Sequence, residues 1–298
     1  MKKLILLILI IVIIIKILFK VCSNLYFGQN YILRDITKDI SKYNYTVGPL
    51  PYYGNKYKTY EISRFYKFVD ILNNIKANKY TDQNRHAQNK ISIKIKFFKK
   101  NNKLMFDELI KFIDYANKYN IMIGFAAMKR NDRIEELNTY LKVLELGYKN
   151  VFITLATYHS DIDERVDIIL KKNGTIRLVK GWYTDGNVKN WNTVTENYYR
   201  NARKLIMSNR FHLLATHDFI ILRKLFDEFG NKHMDKIEII FFNFSKTYVK
   251  KKLKTFPYEI KNISFYKPYG RICLSFMYTL VNMDIWRDIQ RRYFGKVK

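Results

Sequence analysis

The chain has 298 residues and a net charge of +28, from 54 lysines and arginines against 26 acidic residues. Its hydrophobic fraction of 48% and charged fraction of 27% are close to globular averages, which excludes a wholly disordered chain and a multi-span membrane protein. Cys22 and Cys273 are too few for a disulfide framework or a structural zinc site, and we expect no metal site. The positive charge favours anionic partners such as lipid headgroups, nucleic acid or phosphorylated ligands.

The first 22 residues predict a membrane anchor. Two lysines precede an uninterrupted apolar run from Leu4 to Ile15, and the apolar character resumes after Lys16 as far as Phe19. The run is shorter than the ~20 residues that span a bilayer, but a lysine that snorkels to the surface can lengthen it. A cleaved signal peptide and a buried helix are alternatives, although no small-residue cleavage site follows. We predict an uncleaved signal anchor over residues 1–22.

Residues 23–90 are polar and rich in tyrosine, and we interpret them as an N-terminal polar or helical arm. After this arm, short β-branched or aromatic runs alternate with amphipathic stretches of helical spacing, one of which Gly147 is expected to close. The runs begin at Ile91, Ile121, Val151, Ile176, His212, Ile237 and Asn262. Strand–helix units of this length require parallel strands with crossover helices.

These seven units predict an α/β protein with a (β/α)8 TIM-type barrel over residues 91–298, in which one strand or terminal unit is not visible. A doubly wound open sheet is the alternative. Neither GxGxxG nor GxxxxGK[ST] follows the first strand, so a phosphate-binding loop is unsupported. In a barrel, chemistry gathers at the carboxyl ends of the strands. The candidates there are Lys94, Lys96, Arg177, Lys180, Thr216, His217 and Tyr266.

One of these strands carries a family resemblance. The segment from Ile176 to Tyr183, IRLVKGWY, resembles the RLVKGAY signature of proline dehydrogenase. Four further segments resemble that family in the same order between Ile91 and Val281. They are ISIK from Ile91, Arg130-Asn131-Asp132 with the helix after it, Leu214–Asp218 (similar to the ATHN flavin motif) and Phe265–Gly270 (similar to YxPxG). The resemblance implies an FAD-dependent (β/α)8 enzyme that oxidises proline to pyrroline-5-carboxylate.

The resemblance also implies catalytic residues. Arg177 would approach the N5 edge of the flavin, where a fixed guanidinium stabilises the negative charge that arrives with a hydride. Lys94 and Tyr266 would stand near the proline ring. These three residues are the predicted catalytic set.

A second set is implied for cofactor binding and includes Arg177 again. Lys180 and Tyr183 would line the flavin and substrate pocket. Thr216 and His217 would bind a phosphate or ribose of FAD, because short polar side chains at a strand end can donate hydrogen bonds.

Departures from the family pattern fall mainly on the residues that are expected to bind the substrate. An acidic residue expected at the end of the second strand maps to Gly124 or Ala126, and two expected glutamines map to Ala156 and Ile240. The arginine pair that grips the proline carboxylate has no counterpart in the window 278–282. Losing such a partner costs about 2–5 kcal/mol. We therefore expect the flavin half of the site to be kept and the amino-acid half to be eroded, unless Arg287, Arg291 or Arg292 substitutes.

Three functions remain open. The first is an enzyme that oxidises proline or an analogue and passes the electrons to a membrane quinone, which suits the N-terminal anchor. The second is a flavin-binding or structural pseudoenzyme of the same fold that has lost proline binding. The third is a basic protein of membrane surfaces or nucleic acid, but no nucleic-acid motif occurs and we expect no specific nucleic-acid partner. Basic residues are dispersed along the sequence, and the run Lys250–Lys254 is interpreted as a solvated face.

Overall fold

The structure is a computed structural model that describes residues 44–49, 62–76, 89–101, 103–127, 132–180, 187–188, 190–242 and 246–269. The predicted anchor over residues 1–22 lies outside the described residues, as does the window 278–282. Of the helices that the structure describes, none is long and apolar enough to cross a membrane.

Eight parallel strands close into a barrel, each hydrogen-bonded to its neighbours in sequence and the last paired with the first. The strands are β1 (Asn44–Pro49), β2 (Lys90–Ile93), β3 (Met122–Phe125), β4 (Val151–Ala156), β5 (Thr175–Val179), β6 (His212–Ala215), β7 (Ile237–Phe242) and β8 (Ile263–Tyr269). Register at the closure places Thr46 of β1 beside both Lys90 of β2 and Tyr266 of β8. The predicted TIM-type α/β fold is confirmed, and the open-sheet alternative is not observed among these strands.

Helices cover the outside of the barrel between successive strands. They are α1 (Ile62–Lys76), α2 (Phe106–Lys118), α3 (Arg133–Glu145), α4 (Ile162–Lys171), α5 (Trp191–Met207), α6 (Phe219–Met234) and α7 (Lys246–Leu253). A short antiparallel hairpin, Lys99–Lys100 with Lys103–Leu104, precedes α2. The amphipathic spacing of α2 buries Leu109, Phe112, Ile113 and Ala116, while Asp107 and Glu108 in its first turn complement the helix dipole.

Glycine and asparagine end several helices in the left-handed conformation. Gly147, which follows the C-cap residue Leu146 of α3, has φ +89°, and its N–H donates to the carbonyl of Leu144 at 2.9 Å, which confirms the predicted helix end. Asn120, Asn173 and Asn209 take φ angles between 53° and 58° after α2, α4 and α5. Because each of these helices stops within a few residues of the next strand, the connecting loops at this end are short.

The first strand is the element that the sequence did not reveal. β1 reads NYTVGP, without the run of β-branched residues that marked the other seven strands. It is defined by its partners, because it pairs with β8 over six residues and with β2 over two. The predicted domain boundary at residue 91 therefore divides the barrel, since β1 and α1 precede it.

A fully buried ion pair lies inside the barrel near the amino-terminal ends of the strands. Lys90 donates to Glu238 at 2.6 Å, and both side chains have 0% exposure. Ser264 donates a second hydrogen bond to the same carboxylate. Such a pair compensates the large desolvation cost of each charge only while both partners remain.

Candidate active site at the carboxyl-terminal end of the barrel

Arg177 is the central residue of the candidate site. Its guanidinium carbon lies 5.1 Å from the ring centroids of both Phe152 and Tyr266, and Nη2 donates to the hydroxyl of Ser92 at 3.1 Å. Arg177 is the third of the five residues of β5 and is buried, so its side chain occupies the barrel interior rather than the strand end where the sequence analysis placed it. A cation held between two rings is fixed in direction and poorly hydrated.

Tyr266 faces Arg177 from β8. Its ring meets the ring of Phe242 at 5.6 Å and 82°, an edge-to-face contact. Burial raises the pKa of Tyr266 to about 12, and the nearby Arg177 opposes part of that rise. The phenol is therefore protonated at neutral pH and can donate a hydrogen bond. Arg177 and Tyr266 are the two predicted catalytic residues that the structure brings into contact.

Lys180 follows β5 and forms a second group with Asp218. Its Nζ donates to Asp218 at 2.5 Å and lies 4.7 Å from the ring centroid of Trp191. The other oxygen of Asp218 accepts the backbone N–H groups of Ile220 and Ile221, so this carboxylate also caps α6. Asp218 therefore both balances the charge of a buried lysine and accepts hydrogen bonds from backbone N–H groups in the first turn of α6.

Thr216 and His217 are engaged in the same loop. The hydroxyl of Thr216 accepts the N–H of Asp218 at 3.0 Å. Nε2 of His217 accepts the N–H of Phe242 at 3.2 Å, and the imidazole stacks on the Phe242 ring at 5.8 Å and 4°. Burial lowers the pKa of His217 to about 3, so the ring is neutral. The contacts of His217 with Phe242 join the ends of β6 and β7, whereas the bond of Thr216 stays within the loop after β6.

The remaining predicted residues are placed at the rim or lie outside the described part of the chain. Lys94 is buried directly after β2, and its carbonyl accepts the N–H of Phe97 in a short 3-10 turn. Lys96 is half-buried, with Nζ 5.5 Å from the Phe97 ring. Tyr183 lies outside the described residues.

Apolar groups occupy the interior positions where the family pattern predicts polar ones. A Cβ atom at Gly124 would lie 2.0 Å from the ring of Phe152, so that ring fills the space a side chain at Gly124 would need. Ile240 packs in a buried cluster with Phe152 and Tyr266, and Ala156 is buried at the end of β4. The neighbourhood of Arg177 is therefore largely aromatic and aliphatic.

Several of the interacting residues were not identified from the sequence. Ser92, Phe152, Asp218 and Trp191 all contact a predicted cation. Ser92 and Asp218 fall within the segments that carried the resemblance, and the signal that could have found them is the need of a buried cation for a partner. Phe152 and Trp191 are recognisable only once strands and helices are in place.

The candidate site carries positive charge, which suits a ligand that is anionic or gains negative charge. Lys94, Arg177 and Lys180 place three buried cationic side chains at or below the carboxyl-terminal rim. The N-terminus of α6 would suit a phosphate, but the Asp218 carboxylate already occupies its first N–H groups.

Known proteins that are similar to this chain indicate the same family as the motif segments do. No family model matches the chain. Proline dehydrogenase 2 of Bacillus subtilis (strain 168) is 26% identical over 118 residues, which are 39% of this chain and 39% of that protein. Proline dehydrogenase 2 of Bacillus subtilis subsp. natto gives the same identity over 39% of this chain and 38% of its own. The aligned region thus spans about two-fifths of these relatives.

Among solved structures, proline utilization A from Bdellovibrio bacteriovorus, inactivated by N-propargylglycine, matches with a TM-score of 0.68 at 16% identity, over 90% of this chain and 32% of that one. A mutant of proline utilization A from Bradyrhizobium japonicum matches with a TM-score of 0.65 at 15% identity, over 88% of this chain and 29% of that one. Together with the sequence matches, these likenesses confirm the resemblance to a divergent proline dehydrogenase that the motif segments indicated.

Proposed function

We propose that this chain is a divergent, FAD-dependent proline dehydrogenase that oxidises proline or a close analogue to the cyclic imine and passes the electrons to a membrane quinone. The observation that carries the proposal is the contact between Arg177 and Tyr266 inside the barrel, within two segments that resemble the family. The distant sequence similarity and the barrel fold support the proline-oxidising family. Binding of FAD, transfer of electrons to a membrane quinone and membrane anchoring by residues 1–22 are parts of this proposal.

When bound, FAD would accept the hydride that leaves a carbon of the substrate, and the ring nitrogen would release a proton. Arg177 would supply a fixed positive charge, since its stacking and its bond to Ser92 hold it in place before the reaction begins. Such preorganised charge stabilises a developing anion without reorganisation. Tyr266 would offer its proton as a hydrogen-bond donor, and Lys180 would line the cofactor side with Asp218 as its counter-ion.

A second candidate is a flavin-binding or structural protein of the same fold that no longer binds proline. One observation favours it: the Phe152 ring fills the space beside Gly124, which is one of the two positions to which the acidic residue expected near the substrate maps. A buried ammonium or carboxylate without a charged partner is costly. Weak binding of proline is therefore expected under either candidate.

The experiment is a visible absorption spectrum of the purified full chain, followed by anaerobic titration with proline. The proposed function requires a flavin absorption band that bleaches with proline, and saturation only at high proline concentration. A stable flavin band without bleaching at any proline concentration would favour the second candidate. A colourless protein that takes up no added FAD would refute the proposed function and would leave only a structural role for the second candidate.

A matched pair of variants tests the role of Arg177. Arg177→Lys keeps the charge but loses the planar group between two rings, so flavin reduction should slow about tenfold to a hundredfold. Arg203→Lys makes the same change at an exposed site that pairs with Glu228, and it should leave reduction unchanged. Equal reduction rates in the two variants would remove Arg177 from its proposed role.

A further inference from the structure

Charge is distributed unequally between the two ends of the barrel. The amino-terminal end comprises the last turns of α2 to α7 and the loops that lead to β3 through β8. Fourteen residues are basic and three are acidic in these segments, which are 115–121, 142–150, 168–174, 204–211, 231–236 and 250–262. The first turns of α2 to α7 and the described loops before them, at the opposite end, hold nine basic and nine acidic residues. The amino-terminal end therefore attracts anionic ligands, and it lies on the far side of the barrel from the candidate active site.

A groove of about 420 Å³ lies at this end, between the loops before β4, β5 and β6. Its volume is within the range of pockets that bind small molecules, about 300–1,000 Å³. Lys149, Lys172 and Arg210 each line the groove from a different loop. None of the described residues that line it is acidic. Three cations around one concave space suit a ligand that carries more than one negative charge.

The partners of these cations leave positive charge available to a ligand. Arg210 donates to the side-chain oxygen of Asn173 at 2.6 Å and to the carbonyl of Leu170 at 2.9 Å, and neither oxygen carries a charge. These two bonds hold a guanidinium, the group that binds phosphate oxygens in pairs. Lys172 meets Glu145 at 3.2 Å, but both side chains are more than half exposed and such a pair contributes little. A phosphate can therefore compete for Lys172.

Two aromatic rings line the same groove. Tyr148, in the loop before β4, and Phe211, directly before β6, are both partly buried. The hydroxyl of Tyr148 donates to Asp114 at 2.7 Å, which limits the directions that this ring can take. Every nucleobase has a flat face that stacks on an aromatic side chain. The groove thus combines a surface for a planar ring with cations for phosphates.

A second groove of about 260 Å³ adjoins the first, and the two share Lys149 and Phe211 among their lining residues. Three amide side chains line this second groove, those of Asn117, Asn120 and Asn150. Because an amide both donates and accepts hydrogen bonds, it can match the mixed edge of a nucleobase. No described residue that lines the second groove is acidic. The pair of grooves therefore suits a ligand with a base and a chain of phosphates.

Other surfaces of the described residues lack this combination. A groove of about 610 Å³ between α2 and α3 has one lysine and one glutamate in its lining. Its lysine, Lys142, lies 4.1 Å from the ring centroid of Phe106, and its glutamate, Glu135, pairs with Lys99. The large apolar side chains that are most exposed are all aliphatic, namely Ile134, Leu146, Met207 and Ile220. An extended single strand of nucleic acid would require a longer series of aromatic rings than the groove holds.

We propose that the amino-terminal end of the barrel binds a nucleoside polyphosphate, with its phosphates on Lys149, Lys172 and Arg210 and its base on the rings of Tyr148 and Phe211. This binding does not depend on the proposed oxidoreductase activity. It leaves the candidate active site, at the other end of the barrel, open to its substrate and its electron acceptor.

The test is isothermal titration calorimetry of the full chain with ATP, inorganic triphosphate and adenosine as separate probes. ATP should bind at least about tenfold more tightly than either of the other two, because the stacked base and the charged phosphates both contribute. Lysine acetylation read out by mass spectrometry locates the site. Near-saturating ATP should lower labelling of Lys149 and Lys172 by about tenfold and leave Lys100 and Lys103, exposed at the other end, unchanged.

Matched double variants separate the groove from total charge. Lys149→Gln with Lys172→Gln should weaken ATP binding by about tenfold or more, since hydrogen bonds to charged groups are lost. Lys100→Gln with Lys103→Gln removes the same charge at the other end and should leave ATP binding unchanged. Tyr148→Leu should weaken binding of ATP by about fivefold or more, but not binding of inorganic triphosphate. Circular dichroism checks that the variants fold, and labelling of the unaltered chain tests the proposal if one does not.

Four results would overturn the nucleotide proposal. One is the absence of measurable ATP binding. Another is equal ATP binding by the two double variants, which would place the nucleotide elsewhere, such as in the candidate flavin site. The third is binding of inorganic triphosphate as tightly as ATP, which would remove the base from the site. The fourth is displacement of ATP by much lower concentrations of single-stranded RNA, which would assign a different class of partner. None of these results depends on reduction of a flavin by proline, so they are distinguishable from a failure of the proposed function.

Discussion

Removing the charge of Glu238 should destabilise the barrel strongly. In the Glu238→Gln variant, the shape of the side chain is kept and its oxygen can still accept from Ser264, but Lys90 is left as a buried cation without its counter-ion. Both side chains have 0% exposure and their charged atoms are 2.6 Å apart. Breaking one partner of such a pair costs about 3–5 kcal/mol, because the remaining charge stays desolvated.

An exposed pair provides the matched control. Glu145→Gln makes the same change in the pair with Lys172, whose side chains are 54% and 60% exposed. Exposed pairs of this kind contribute about 0–1 kcal/mol. The double variant Lys90→Met with Glu238→Leu removes both buried charges, and it should be more stable than Glu238→Gln alone because no uncompensated ion remains.

Urea unfolding followed by circular dichroism measures the three free energies. The midpoint of Glu238→Gln should fall by on the order of 1–2 M relative to the unaltered chain, while that of Glu145→Gln should barely move. A Glu238→Gln variant within about 1 kcal/mol of the Glu145→Gln control would refute the reasoning. A double variant less stable than the single one would show that loss of the pair itself, and not the buried charge that remains on Lys90, determines the cost.

Three further outcomes are expected. Burial holds the pKa of His217 at about 3, against an ordinary value of 6.5, so its contribution to stability should be present above pH 6.5 and be lost as the pH falls toward 3. The variant His217→Gln should therefore flatten this part of the pH dependence of the urea midpoint. An unchanged slope would contradict this expectation. Gly124→Ala should cost about 1–3 kcal/mol by thermal unfolding, because the new methyl group meets the Phe152 ring, and adding Phe152→Leu should recover part of that loss. Asp218→Asn should keep the cap of α6 but remove the carboxylate that pairs with Lys180, which should lower the stability of the protein. Inorganic phosphate should then raise the melting temperature of this variant more than that of the unaltered chain in a thermal shift assay. An absence of any phosphate effect would argue against an anion site there.

Seven of the eight barrel strands could be predicted because each carries its own hydrophobic signal. The predicted starts at Val151, His212 and Ile237 coincide with the observed ones, and the other four differ by a single residue. Strands buried on both faces read as continuous apolar runs, so composition alone reveals them. β1 has no such run and contains Gly48 and Pro49, so its strand conformation depends on hydrogen bonds to β8 and β2, which are distant in sequence.

The sequence predicted which cations lie in the candidate site, but it did not predict which residues those cations contact. Strand periodicity and the family resemblance locate Arg177 and Lys180, but the ring of Phe152 reaches Arg177 from a neighbouring strand, and Asp218 reaches Lys180 across 38 residues. Sequence spacing cannot specify such pairings, because they depend on the register between strands. For the same reason, the position of Arg177 in the interior became clear only from the structure.

Asp218 stands where the ATHN flavin motif has an asparagine, and its pair with Lys180 shows the physical effect of that difference. An asparagine at this position could cap α6 with its oxygen, as Asp218 does, but it would remove the carboxylate that pairs with Lys180. The carboxylate instead neutralises Lys180 and opposes a phosphate at the same helix end. The pair therefore predicts that an anionic ligand binds this helix end more weakly in the unaltered chain than in the Asp218→Asn variant.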